Sequence, residues 1–168
     1  DIQNKLSLIN FENNELETLK NEKNEKEQKY YELSKKLSAI RKSVAKNLEV
    51  TIHEQLEDLN MSNAKFRFKF EFLEQDVVNS KGIDDVEFMM TTNVGEDFKP
   101  LAKIASGGEI SRIMLALKVV FSTVDNISVL IFDEIDTGIS GETVKRVADK
   151  LKELSGKVQV ICVTHSPQ

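Results

Sequence analysis

The sequence predicts an α/β protein: a lobe with a parallel sheet, preceded by a long coiled-coil helix and a short antiparallel strand pair. Three observations predict it. An apolar seven-residue repeat runs from Ile2 to Val44 with no Gly or Pro to interrupt it. Phe66, Phe68, Phe70 and Phe72 alternate with Lys65, Arg67, Lys69 and Glu71. Two apolar, β-branched runs, Ile127–Phe132 and Val158–Val163, flank a stretch with helical spacing.

The helix comes first. With Ile2 at position a, the later a positions are Ile9, Leu16, Lys23, Tyr30, Leu37 and Val44, apolar except for Lys23. Position d holds Lys5, Glu12, Leu19, Lys26, Leu33 and Ile40, so the seam thins around Asn21–Lys29. This is the pattern of one arm of a coiled coil with a solvated middle. A helix of about 58 residues would span roughly 87 Å, which calls for a partner along its length. The first Gly is Gly82 and the first Pro is Pro100, so nothing breaks the helix early. Residues 1–58 are therefore assigned to the arm and 59–168 to the lobe.

The phenylalanine run has period two, a strand with one aromatic and one charged face. Basic–aromatic interleaving also suits nucleic-acid stacking, but four Phe on one side of a strand read as core. Val86, Phe88 and Met90 predict a second strand, with Gly82 and Asp84–Asp85 as the turn and Gly95–Pro100 as a loop. Ile110–Phe121 reads as a buried helix. Val144, Val147, Ala148, Leu151 and Leu154 recur at helical spacing and Gly156 supplies the stop. Strand, helix and strand in this order predict a parallel pair. Its fully apolar strands predict a sheet covered on both faces.

Composition narrows the function classes. Lys and Arg number 23 against 28 Asp and Glu, a net charge of −5, which excludes a strongly basic nucleic-acid-coating domain. No run of about 18 apolar residues and no signal peptide occur, so no membrane span is expected. The single cysteine, Cys162, excludes an internal disulfide and fits a reducing cytosol; inside an apolar strand it reads as a small core residue. The chain begins at Asp1 and stops at Gln168, directly after an apparent strand, and reads as a piece of something larger.

The chemistry concentrates late in the chain. Asp133 and Glu134 end an apolar strand, where open α/β sheets bind ligands. An acid there can hold a metal ion, and its neighbour can orient or deprotonate a water; this is a Walker B pattern. Ser106-Gly107-Gly108-Glu109 opens the Ile110–Phe121 helix. Ser-x-x-Glu is a capping box, and the two glycines also let backbone approach a phosphate at the helix N-terminus. His165, after the last strand, can donate to a phosphate oxygen at the same rim. His53, on the long helix, reads as structural. A hydrolase triad of Ser140, Asp133 and His165 lacks its nucleophile elbow, because Gly138-Ile139-Ser140-Gly141 is followed by Glu142.

Taken together and in this order, the motifs resemble the C-terminal lobe of an ABC-type (P-loop NTPase) head, as in structural-maintenance-of-chromosomes (SMC) proteins. The finer resemblance is to the RecN family of bacterial DNA-repair ATPases. It rests on the stretch from Leu101-Ala102-Lys103-Ile104-Ala105-Ser106-Gly107-Gly108-Glu109 to Lys118. It rests equally on Phe132-Asp133-Glu134-Ile135-Asp136-Thr137-Gly138-Ile139-Ser140-Gly141 and on Val163-Thr164-His165-Ser166-Pro167-Gln168. Glu109 after the glycines departs from the transporter signature, and Ile139-Ser140-Gly141 favours RecN over other SMC proteins.

That resemblance implies roles. Asp133 would support Mg²⁺, Glu134 would polarise the attacking water, and His165 would contact the γ-phosphate. Asp136, Gly138 and Ser140 would belong to the loop facing a second head. Ser106, Gly107, Gly108 and Glu109 would form the signature that meets ATP held by that second head. It also implies ATP as ligand, DNA as a partner, a homodimer of heads, and a place in the cytoplasm at the bacterial nucleoid. No Gly-x-x-x-x-Gly-Lys-Ser/Thr occurs in the chain, so the phosphate cradle is expected in an N-terminal lobe of the same protein. The chain alone is expected to hydrolyse no ATP. Two alternatives stay open: another SMC-like chromosome or repair ATPase, and a non-catalytic coiled-coil scaffold with an ATPase-like lobe.

Overall fold

The computed structural model describes residues 2–73, 78–93, 95–104, 107–122 and 124–164, with residues 4–12 described as backbone only. Helix α1 runs Ile2–Asp58, followed by β1 (Lys65–Phe72), β2 (Asp84–Thr91) and β3 (Lys99–Pro100). A single 3₁₀ turn, Leu101–Lys103, leads to α2 (Gly107–Phe121), β4 (Val129–Asp133), α3 (Glu142–Ser155) and β5 (Gln159–Val163). The chain forms two compact units, one of residues 1–42 with 71–85, the other of residues 43–70 with 86–168.

In the first unit, α1 carries Glu32–Lys36 and Lys23–Glu27 ion pairs at i,i+4 spacing, each worth a few tenths of a kcal/mol on a solvated helix (about 0.3–0.5). Ser34 and Ser38 are buried on one side of it. Ser38 donates to Asp84 over 2.7 Å, and Arg41 reaches the same carboxylate at 3.3 Å. Leu16, Leu19, Leu33, Leu37 and Ile40, all on the predicted seam, are exposed.

The second unit holds the core. With Ile2 at a, its buried α1 residues Ala45 and Ile52 fall at b and Leu56 at f, not at a or d. The face of α1 that packs on its own sheet is therefore a different face from the predicted seam. α1 ends in a Schellman motif: Asn60 takes φ 59°, its N–H donates to the Glu57 carbonyl, and the Met61 N–H donates to the Leu56 carbonyl. Asparagine tolerates the left-handed region that most residues avoid, and Met61 then folds back into the core.

β1, β2 and β3 form one sheet in that order, with β2 and β3 antiparallel. β3 pairs Lys99 and Pro100 with Met90 and Met89, inside the stretch read as loop from Gly95 to Pro100. Pro100 can sit there because β3 is an edge strand. The aromatic face is core at one end only. Phe66 is buried, Phe68 and Phe70 are half-buried, and Phe72 is 67% exposed. Phe66, Phe68 and Phe88 stack edge to face, with centroids 5.1–5.6 Å apart.

The free edge of β1 is closed by side chains of α1. The Phe66 N–H donates to His53 Nε2 (2.8 Å) and the Phe68 N–H to Glu49 Oε1 (2.7 Å). The spacing explains the match: four helix residues rise about 6 Å and two strand residues about 6.8 Å. His53 thus has the structural role read from the sequence.

β4 and β5 are parallel, with Val129 opposite Gln159 and Asp133 opposite Val163. α2 packs on β4 and α3, and α3 packs on β5. Phe132, Leu130 and Val160 face these helices and join the core of Leu56, Phe66, Ile113, Leu115 and Val147. Within the described residues only one face of this sheet is covered: Val129, Ile131 (69%), Ile161 and Val163 are exposed. Both helices lie on one side, and no second layer covers the other side among the described residues. Cys162, expected in the core, is also exposed. Its thiol is pushed above the ordinary range, first by partial burial and then by the Asp136 carboxylate, which argues against a reactive thiolate.

Candidate functional site

The site is built where β4 stops. The strand is apolar because it lies against α2, and it ends at Asp133, whose side chain is exposed at the carboxyl edge of the sheet. Glu134 follows with φ 52°, a left-handed conformation that a residue with a β-carbon adopts at a cost of about 1–2 kcal/mol. The chain then turns tightly: the Thr137 N–H donates to the Glu134 carbonyl over 3.0 Å. Ile135 is buried and anchors the turn in the core.

Helix α2 grips this turn. Ser111 Oγ donates to the Asp133 carbonyl (2.6 Å). The Arg112 guanidinium donates through one nitrogen to the carbonyls of Thr137 (2.8 Å) and Ile135 (3.3 Å). Burial draws Arg112 below the ordinary arginine range, with the Glu109 charge acting the other way.

The two glycines at the start of α2 lie against the same turn. A β-carbon on Gly107 would come within 2.5 Å of Glu134 Oε2. One on Gly108 would come within 2.9 Å of the Thr137 carbonyl and 3.1 Å of the Glu134 carbonyl. Glycine is required at Gly108 because backbone approaches it too closely for any side chain. At Gly107 the absent side chain makes room for the Glu134 carboxylate beside the positive end of a helix.

The remaining predicted residues follow from this frame. Asp136 is half-buried, and its Oδ2 accepts from Thr164 Oγ1 (2.5 Å), tying the turn to the end of β5. Gly138 has φ 74° and stands in open space, and Ser140 is exposed in the same loop. Glu109 lies in the first turn of α2. Ser106 and His165 lie outside the described residues, so the capping box and the switch histidine have no structural description. The structure thus brings together Gly107, Gly108, Asp133, Glu134 and Asp136.

Sequence reasoning passed over Ser111, Arg112 and Thr164. For Arg112 a signal existed: a charged residue between Ile110 and Ile113, on a helix face otherwise read as core. Ser111 and Thr164 offer no such signal, because their role depends on which carbonyl or carboxylate the fold brings near.

With this geometry in hand, comparison with known proteins is informative. Residues 109–168 match a family model described as "AAA domain, putative AbiEii toxin, Type IV TA system". The chain is 48% identical over 134 residues to DNA repair protein RecN of Halalkalibacterium halodurans, covering 79% of this chain and 24% of that protein. It is 37% identical to RecN of Bacillus subtilis, covering 99% of this chain and 31% of that protein. Among solved structures, the Smc head domain with a coiled coil and joint from Pyrococcus yayanosii is similar at a TM-score of 0.51. It is 27% identical, over 79% of this chain and 24% of that one. The chain thus spans 24–31% of the length of these RecN relatives. Over most of its own length it is RecN-like, with the mixed α/β fold of an SMC head.

Proposed function

We propose that this chain is the second half of an ATP-hydrolysing head of the RecN type, and that the whole protein acts in repair of DNA double-strand breaks and in recombination. In this reading ATP binding joins two heads and hydrolysis separates them. The observation that supports it best is the convergence of Asp133, Glu134, Gly107 and Gly108 on one turn.

The residues present suit a nucleotide with Mg²⁺. Asp133 is an exposed carboxylate at a strand end. The described residues contain no group of three or more metal-ligating side chains, and Mg²⁺ needs only one or two carboxylates beside phosphate oxygens and water. When bound, the ion would supply charge neutralisation at the phosphates. Glu134 would accept a proton from, or orient, the attacking water. Gly107 and Gly108 would offer backbone N–H groups at the start of α2 to a phosphate of ATP held by the second head. Asp136, Gly138 and Ser140 would face the second head, Ser106 and Glu109 would join the glycines on the second head's ATP, and His165 would contact the γ-phosphate. The phosphate-cradling lysine would come from another part of the protein.

The test is ATP turnover by the full-length protein and its Glu134→Gln variant. A loss of about 100-fold or more with ATP binding retained is expected. Turnover that persists in Glu134→Gln would sink the reading. The 168-residue chain alone should show none.

A further inference from the structure

We propose that Arg112, assisted by Ser111, is a positioning residue for Glu134: it holds the 133–137 turn in the one conformation that presents the Glu134 carboxylate. The proposal rests on the hydrolytic reading of Glu134.

Four backbone carbonyls of this turn have assigned donors, and three of the four are served from two successive residues of α2. Ser111 takes the Asp133 carbonyl. Arg112 takes those of Ile135 and Thr137. The turn's own N–H of Thr137 takes that of Glu134. Glu134 itself sits at φ 52°, and a conformation disfavoured by its β-carbon persists only when its surroundings over-determine it. The grip from α2 is that over-determination. Gly108, pressed against the Glu134 and Thr137 carbonyls, fixes how closely helix and turn approach.

Arg112 is buried on a helix whose neighbouring buried positions are Ile113, Leu115, Ala116 and Leu117. A buried guanidinium on an apolar helix face is costly unless its hydrogen bonds offset the desolvation, and here it serves the Ile135 and Thr137 carbonyls of the turn. Its Nε is also buried and has no partner among the described residues, so one donor is idle in this arrangement. One guanidinium nitrogen that reaches two carbonyls suits a turn that must be held.

The consequence is mechanical. Ser111 and Arg112 lie one turn beyond Gly107 and Gly108 on the same helix. Whatever displaces the start of α2 displaces the donors that hold Glu134. The signature segment and the hydrolytic carboxylate then move as one body.

The experiment is steady-state and single-turnover ATP hydrolysis by the full-length protein. The variants are Arg112→Met, Arg112→Lys, Ser111→Ala, Glu134→Gln and the double Arg112→Met/Glu134→Gln. Misplacing a reacting group by about 1 Å costs about 100-fold. Arg112→Met should lower kcat by about that factor with KM for ATP changed less than about twofold, because Arg112 does not touch nucleotide. Arg112→Lys should recover part of the rate, and Ser111→Ala should lose about tenfold in kcat by the same logic. The double variant should be no slower than Glu134→Gln, since both changes act through one carboxylate. Loss of rate in Arg112→Met with Glu134→Gln further slowed by the same factor overturns the proposal, and so does a wild-type kcat in Arg112→Met. If Arg112→Met fails to fold, Ser111→Ala and Arg112→Lys decide on the same kcat criterion. A rate that survives Glu134→Gln overturns the hydrolytic reading, and this inference with it; a rate lost there but kept in Arg112→Met overturns this inference alone.

Discussion

β1 and β4 are both apolar-faced strands that pack into one core, through Phe66 and Phe132 respectively. Beyond that core they differ. The β1 edge is closed: His53 and Glu49 of α1 accept the outward N–H groups of Phe66 and Phe68, the kind of edge protection that prevents further pairing. The β4–β5 sheet is one-sided, with Val129, Ile131, Ile161 and Val163 exposed. A sheet closed within its own chain is finished locally. A sheet that leaves β-branched residues in solvent is finished only by something laid over it. The candidate site sits at the end of the unfinished sheet.

Substitutions grade this contrast. The largest effect is expected where the two sheets share a core. Phe66→Ala and Phe132→Ala should each cost about 3–5 kcal/mol in chemical denaturation, and a much smaller loss for one would mean the two sheets are not one packed unit. Next comes the contact of α2 with the turn. Gly108→Ala places a β-carbon 2.9 Å from a backbone carbonyl, which should destabilise by about 1–3 kcal/mol; a stability equal to wild type would show that the turn relaxes freely. His53→Ala leaves the Phe66 N–H without its acceptor and should cost about 1–3 kcal/mol, with faster hydrogen exchange at Phe66. Asn60→Ala, at φ 59°, should cost about 1 kcal/mol, measured the same way. The smallest change in stability is expected on the bare face. Ile131→Thr should stay within about 0.5 kcal/mol of wild type in the same denaturation. A loss of several kcal/mol there would mean Ile131 is covered after all.

Much of this was legible from spacing. The α1 repeat, the period-two Phe run and the strand–helix–strand order predicted the elements, because side-chain direction follows directly from helical and strand geometry. The Asp133-Glu134 and Gly107-Gly108 pairs were legible as chemistry. Two readings of burial were not. An apolar strand predicts that both of its faces want cover, and the second cover is a matter of tertiary partners, as Ile131 and Ile161 show. The a/d seam of α1 predicted one partner-seeking face, yet from Ala45 onward the helix uses its b and f positions against its own sheet. Small and serine-like residues at Ser34, Ser38 and Ala45 conceal that second face from an apolar count.

The sequence by itself determined the helices and every strand but β3, where α1 stops, and which acids and glycines are candidates for the chemistry. These follow from local rules: period, capping, and the conformational tolerance of Gly and Asn. Only the tertiary structure decided that Gly107 lies beside the Glu134 carboxylate, that Arg112 holds the turn behind it, and that one face of the β4–β5 sheet stands bare. Those facts depend on close approach between residues more than 20 positions apart. Hydrogen bonding to a backbone carbonyl makes no demand on the residue type that owns it, so no pattern in the chain announces the pair.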